Sequence, residues 1–226
     1  MLSESDRARL TSGAAALDVT ITYAQEESLC HYVERLLAWN RKLNLTAVTD
    51  PTAIVDKHLL DALALVPVFR ERAPADLLDV GTGPGLPAIV LAVMLPTLRV
   101  TAVESIAKKA TFVRTVSREL GFPVEVKVVR LEQLDRALRW DLVVSRATFE
   151  PTEWVERAKD LVRPGGLLVA MLSEHQKIPA APPGYSAASL VEHRIGGASR
   201  RIAPYERGLG SGATPLPPAQ VDTGRS

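Results

Sequence analysis

Cys30 is the only cysteine among 226 residues. That excludes an internal disulfide framework and a cysteine-rich zinc site. The four histidines, His31, His58, His175 and His193, are scattered without metal-ligand spacing, so no metal is expected. Aromatic residues make up only 5% of the chain, and the net charge is +1. Global charge therefore does not advertise nucleic-acid binding, and any basic face has to be local. No apolar run approaches the ~20 residues that span a bilayer. The opening MLSESDRARL has no apolar signal core. No membrane partner is expected, and a cytoplasmic, monomeric protein is the default reading. No internal repeat is visible. What is present is an ordinary globular composition, 46% hydrophobic, which can form a sizeable core.

The most informative stretch is Leu77 to Pro87, LLDVGTGPGLP. Leu77, Leu78 and Val80 read as a buried strand that enters a loop with glycines at 81, 83 and 85. A helix-compatible apolar run, Ala88 to Leu95, follows directly. Strand, glycine turn and helix start together predict a nucleotide-type cofactor site. Asp79 sits at the strand's C-terminal end, where open α/β sheets bind ligands. The spacing is D-x-G-x-G-x-G, which departs from the G-x-G-x-x-G of a dinucleotide fold. Glu104 ends the next apolar strand, Arg99 to Val103, about 20 residues further on, a spacing suited to an acid gripping ribose hydroxyls. The bland alternative is a tight turn beside a solvated acid.

Alternation organises the rest. Residues 1–20 read as a loosely ordered lead. Leu29, Tyr32, Val33, Leu36 and Leu37 recur at helical steps within Thr22 to Arg41. Asp50-Pro51 opens a second helix, expected to end near Val66 before Pro67. Strands are then expected over 77–80, 99–103, 124–129, 140–145 and 167–172, with helices over 86–95, 107–120 and 151–162 between them. The turn Arg163-Pro164-Gly165-Gly166 leads into the last strand. Strands separated by helices imply parallel βαβ units. Leu190 to Ile195 and Arg200 to Tyr205 read as a hairpin across Gly196-Gly197. The expected division is a lead and helical extension over 1–72, an α/β domain over 73–207, and a disordered tail over 208–226.

On these motifs the chain resembles the class I S-adenosylmethionine-dependent methyltransferases. The order Leu43 to Thr46 (LNLT), Lys57 to Asp61 (KHLLD), Asp79 to Pro87, Glu104 to Lys109 (ESIAKK) and Ser145 to Ala147 (SRA) sharpens the resemblance. Together these segments are similar to the bacterial 16S ribosomal RNA guanine-N7 methyltransferases, the glucose-inhibited division protein B family. The resemblance implies a Rossmann-like, mostly parallel sheet with an antiparallel edge and an N-terminal helical extension. It implies S-adenosylmethionine as cofactor, 16S rRNA or the small ribosomal subunit as partner, and methylation of guanine N7. It further implies a cofactor site of Asp79, Gly81, Thr82, Gly83, Gly85, Leu86, Glu104, Leu131, Glu132 and Arg146. Asn44, Lys108, Arg130 and Arg146 match polar positions the family keeps around cofactor and target. Arg200 and Arg201 are weaker RNA-contact candidates.

The chemistry suits these roles. The glycine loop is expected to offer N–H groups to the methionine carboxylate. Guanine N7 carries a lone pair and attacks a methyl without losing a proton, so the work is mainly alignment. His58 reads as a packed helix residue rather than a base, and His58 with Asp61 as a structural pair. Trp39 and Trp154 read as packing. The chain departs from the family at Thr148-Phe149-Glu150 and at Ser173-Glu174, where a lysine-glycine step is usual. An NAD-dependent oxidoreductase, a methyltransferase of another RNA, a protein or a small molecule, and a non-catalytic RNA-binding module remain the alternatives.

Overall fold

The computed structural model describes residues 2–70, 72–135 and 137–209. Five parallel strands carry the fold: β1 (Asp76–Val80), β2 (Arg99–Val103), β3 (Glu125–Lys127), β4 (Trp140–Arg146) and β5 (Val162–Ser173). Three further strands, β6 (Tyr185–Ala187), β7 (Val191–Ile195) and β8 (Ala198–Arg207), make the antiparallel edge. The spatial order is β3-β2-β1-β4-β5-β8-β6, with β7 also paired to β8. Chain order reverses between β1 and β4, so a crevice opens beyond their C-terminal ends.

The strands alternate between two cores, as a sheet buried on both faces requires. Leu77, Ala102, Val144 and Val169 join one core, while Leu78, Val80, Val143 and Leu168 join the other. The first face is covered by α6 (Ala88–Met94), whose seven residues are all buried, and by α7 (Ala107–Glu119). The second is covered by α8 (Pro151–Ala158), through Trp154 and Val155.

The N-terminal segment is more ordered than its composition predicts. Glu4–Ala15 form α1, capped by Ser3 and Asp6 in a reciprocal box. Only Leu10 and Ala14 give α1 a buried apolar face, too few to produce a readable period. The long helix α2 spans Tyr23–Leu43, with Thr22 and Gln25 as its capping box.

The second helix differs from expectation in two ways. After α3 (Pro51–Ile54), Val55–Leu60 widen into a π-helical turn before α4 (Asp61–Leu63). The helical path also continues through Pro67 to Arg70. Pro67 lies in the first turn of α5 (Leu65–Arg70), where its missing N–H costs no intrahelical bond. Likewise Arg163 to Gly166 do not precede β5 but lie within it, as an irregularity that shifts the β4–β5 register between Trp140 and Leu142. The 196–197 hairpin joins β7 to β8, and β6 was not read from the sequence. From residue 210 on, the expected tail lies outside the described residues. Among the described residues no helix is long and apolar enough to cross a membrane.

Candidate cofactor and substrate site

The ends of β1, β2 and β4 converge on a cleft of about 500 Å³. Gly81, Thr82, Gly83, Leu86, Glu104, Arg130, Leu131, Glu132 and Arg146 line it. Four other expected residues are placed elsewhere. Lys108 is exposed on the first turn of α7 and points away, while its neighbour Lys109 lines the cleft. Helical geometry explains the swap, because consecutive residues face directions about 100° apart. Asn44 is the left-handed C-cap of α2 (φ 48°) and is exposed outside the cleft. Asp79 and Gly85 lie beneath the loop, Gly85 packed close to Ile89 and Val113.

The loop shows why Asp79 is beneath it. Asp79 is fully buried, and its Oδ2 accepts from the Thr82 hydroxyl (2.6 Å) and the Ala88 amide (3.1 Å). It therefore holds the loop to the start of α6. Burial pushes its carboxyl up to about 6, against the opposing pull of those two hydrogen bonds. Its Oδ1 has no hydrogen-bond partner among the described residues.

The expectation that the loop offers free N–H groups is not met. The amides of Gly81 and Thr82 donate to Val103 O, at 2.8 and 3.1 Å. The Gly83 amide donates to Glu104 Oε2 at 2.9 Å. The amides of Gly85 and Leu86 both return to Thr82 O. Pro84 and Pro87 have no N–H. What the glycines contribute is space and backbone freedom. A Cβ on Gly81 would stand 2.2 Å from Thr148 Oγ1; a Cβ on Gly83 would meet nothing within 4 Å and would occupy room beside the cleft. Both residues have positive φ, 71° and 59°, which L side chains rarely adopt.

Glu104 ends β2 with both oxygens in use, Oε2 for Gly83 and Oε1 for the Ile106 amide at 2.7 Å. A carboxylate has roughly four lone-pair sites, so capacity remains toward the cleft. The opposite wall was missed by sequence reading. Phe149 lines the cleft, stacked on Trp154 (5.7 Å, 14°) with the Arg157 guanidinium 5.6 Å from its ring centre. Arg157 also pairs with Glu132. The only signal was the departure Thr148-Phe149-Glu150. Trp154 Nε1 donates to Val169 O, which fixes that tryptophan in the core.

Arg146 closes the floor. Its Nη1 donates to Lys57 O at 2.8 Å and stands 3.3 Å from Asp61 Oδ2. The π-helical turn and the start of α4 bring these partners together: the Lys57 carbonyl, the His58 ring and the Asp61 carboxylate all stand near Arg146. Thr46 Oγ1 lies 3.0 Å from His58 Nε2, and His58 Nδ1 lies 3.0 Å from Lys57 O. The shorter contact, to the Lys57 carbonyl, places the proton on Nδ1, although Arg146 Nη1 also stands 3.4 Å from that nitrogen. Burial, and then the Arg146 charge, push the His58 imidazolium down to about 4. Asn40 binds the loop before it, accepting from the amides of Leu45 (2.6 Å) and Thr46 (2.9 Å). A second cavity of about 280 Å³ lies on the far side of Arg146 and Ala147, bordered by Asp61, Met171, Gln176 and Arg200. Arg201 is drawn inward, its Nη2 donating to the carbonyls of Ser173, Glu174 and Gln176, so it braces that turn instead of offering a free cation.

The residues present fit S-adenosylmethionine. An acid stands where ribose hydroxyls need an acceptor, the loop's glycines leave room for a narrow chain, and Arg146 and Lys109 supply positive charge to a carboxylate. A dinucleotide pyrophosphate would find no free amide in the loop.

A sequence model described as rRNA small subunit methyltransferase G matches residues 25–191. The ribosomal RNA small subunit methyltransferase G of Anaeromyxobacter sp. (strain Fw109-5) is 44% identical over 168 residues, 73% of this chain and 77% of that protein. The protein of the same name from Burkholderia ambifaria (strain MC40-6) is 40% identical over 182 residues, covering 77% of this chain and 80% of its own length. Among solved structures, the O-methyltransferase from Bacillus cereus in complex with SAH superposes with a TM-score of 0.57 at 20% identity. It covers 78% of this chain and 90% of that one. The O-methyltransferase TomG from Streptomyces achromogenes, in complex with SAM, gives 0.57 at 18% identity over 92% of this chain and 100% of that one. At such identities the two structures speak for the fold.

Proposed function

This chain belongs to the rRNA small subunit methyltransferase G family, and on that premise we propose that it methylates N7 of one guanine in 16S rRNA, with S-adenosylmethionine as the methyl donor. The observation that carries the reading is the position of Arg146 and Ala147, which wall both the 500 Å³ cleft and the smaller cavity beside it. A donor in one space and an acceptor base in the other would meet across them.

The cofactor supplies an electrophilic methyl group on a positively charged sulfur. The chain's part is to bind and align. Glu104 takes the ribose hydroxyls, and the side-chain-free stretch at Gly83 admits the methionine portion. Leu131 and Phe149 offer apolar surfaces to the adenine, with Glu132 and Arg130 at the rim. Arg146 and Lys109 face the methionine carboxylate. Holding N7 in line with the methyl–sulfur bond supplies the rate. Guanine N7 needs no deprotonation, in keeping with a His58 that stays neutral and hydrogen-bonded on both nitrogens.

The RNA backbone would be met by Arg130 at the cleft and the half-buried Arg200 at the smaller cavity, with Lys108 exposed on α7 outside the cleft, so binding should weaken as salt rises.

The test is to map the modified nucleoside in small-subunit rRNA from cells lacking and regaining this protein. One guanine should lose and regain its N7 methyl group, and Arg146→Ala should fail to restore it. Restoration of no methyl mark by the wild-type chain would overturn the reading.

A further inference from the structure

The smaller cavity contains a feature that cofactor binding does not use. Asp61 is buried, yet among the described residues its carboxylate receives one hydrogen bond, the 3.3 Å contact from Arg146 Nη1. Arg200 Nε (3.8 Å) and His193 Nε2 (3.9 Å) stand near Oδ1, beyond hydrogen-bond distance. Burial pushes this carboxyl up, but His193, Arg146 and Arg200 outweigh it and hold the group below the ordinary range, so it is ionised at neutral pH. A buried, ionised carboxylate normally has its lone pairs filled by donors. Here Oδ1 has ion-pair neighbours but, among the described residues, no donor at hydrogen-bond distance, and the carboxylate borders a cavity.

The geometry matches one edge of one base. Guanine carries its N1–H and N2–H donors on the Watson–Crick edge, across the ring system from N7. A guanine that turns N7 toward the cofactor cleft must point those donors to the opposite end of its pocket. Arg146 and Ala147 line both spaces, whereas Asp61 lines only the smaller one. Enzymes that act on a base commonly extrude it and read its Watson–Crick edge in a pocket. Adenine presents an acceptor at N1 and would set its lone pair against the carboxylate.

We propose that Asp61 is the specificity-determining residue that accepts the N1–H and N2–H donors of the target guanine, in the cavity between the π-helical turn and the end of β5. This rests on the methyltransferase reading above. Arg146 holds the carboxylate from one side, and Gln176 and Met171 border the pocket.

The experiment compares small subunits reconstituted from 16S rRNA transcripts with guanine or inosine at the mapped nucleotide. Inosine keeps N7 and N1–H but lacks the N2 amino group. Wild-type protein should methylate guanine faster than inosine by roughly tenfold or more in kcat/KM, the size of one hydrogen bond to a charged group. Asp61→Asn should slow the guanine reaction by about 10- to 100-fold, bring the guanine-to-inosine ratio close to one, and keep its calorimetric affinity for S-adenosylmethionine. Equal wild-type rates on the two bases would overturn the proposal without any variant. So would an Asp61→Asn protein that still prefers guanine as strongly as wild type, which would make Asp61 a positioning residue for Arg146 alone. Failure of the wild type to methylate even the guanine subunit would instead reject the underlying activity, and the proposal with it.

Discussion

The Glu104 carboxylate accepts the amide hydrogen of Gly83 across 2.9 Å, which ties the acid that ends β2 to the middle glycine of the β1 loop. Two motifs separated in sequence are one physical unit. Replacing the acid removes the ribose acceptor and frees an amide that the loop had satisfied. Glu104→Ala should lower affinity for S-adenosylmethionine by about 1–3 kcal/mol, or about 5- to 150-fold, measured by calorimetry. Unaltered affinity would take Glu104 out of the site.

Two glycines of that loop should fail differently. Gly83→Ala meets no protein atom within 4 Å, so its cost to stability is the left-handed backbone alone, about 1–2 kcal/mol. The new methyl intrudes on the ligand and should reduce cofactor affinity by a further 1–3 kcal/mol, roughly. Gly81→Ala drives a Cβ into Thr148 and should unfold at lower denaturant, with Thr148→Gly in the same chain restoring part of the loss. Equal stabilities for the two single variants would contradict this division.

The N-terminal extension braces the site through one hydroxyl. Tyr32 on α2 donates to Pro84 O at 3.0 Å in a fully buried setting. Burial pushes its phenol upward, so it remains a donor throughout the physiological range. Tyr32→Phe leaves that carbonyl unpaired and should cost about 1–3 kcal/mol of stability, near 2–4 °C in Tm per kcal/mol. A Tm equal to wild type would show that the carbonyl finds another partner.

Asp79 gives a pH dependence of defined sign. Its folded pKa, about 6, lies above the ordinary 3.8, so the folded state holds the proton more tightly than the unfolded chain. The associated stability is fully present below pH ~4 and is lost as pH rises through ~6. Relative to Asp79→Asn, the wild type should lose about 3 kcal/mol between those limits, at ~1.4 kcal/mol per pKa unit. Urea titrations of both proteins at pH 4 and pH 7 measure the difference. A gap that does not change with pH, or that changes in the opposite direction, would refute the burial argument.

Much of the fold was legible because burial writes itself into short-range periodicity. The apolar runs at 77–80, 99–103 and 140–145 lie in strands within a residue or so of their expected ends, because a strand covered on both faces must be apolar along its length. Helix α1 escaped notice because only Leu10 and Ala14 give it a buried apolar face, too few to write a readable period. The π-helical turn escaped because no residue type signals an extra residue in a helical turn; the turn packs on α1 and β7 and accepts a hydrogen bond from Arg146 at Lys57 O, partners distant along the chain.

The sequence alone determined which chemical groups reach the ends of β1, β2 and β4: the glycine loop, Glu104 and Arg146 each follow an apolar strand, and chain connectivity leaves them no other place. Tertiary structure decided what each group does there. It turned the loop amides inward onto Val103, Thr82 and Glu104, put Asp79 under the loop, and exchanged Lys108 for Lys109 at the cleft. It also brought Asp61 from a helix 85 positions away to face Arg146. The physical reason is range. Periodicity records whether a residue is buried, a property of its own side chain. Hydrogen-bond direction and cavity shape depend on partners that are distant along the chain and become neighbours only on folding.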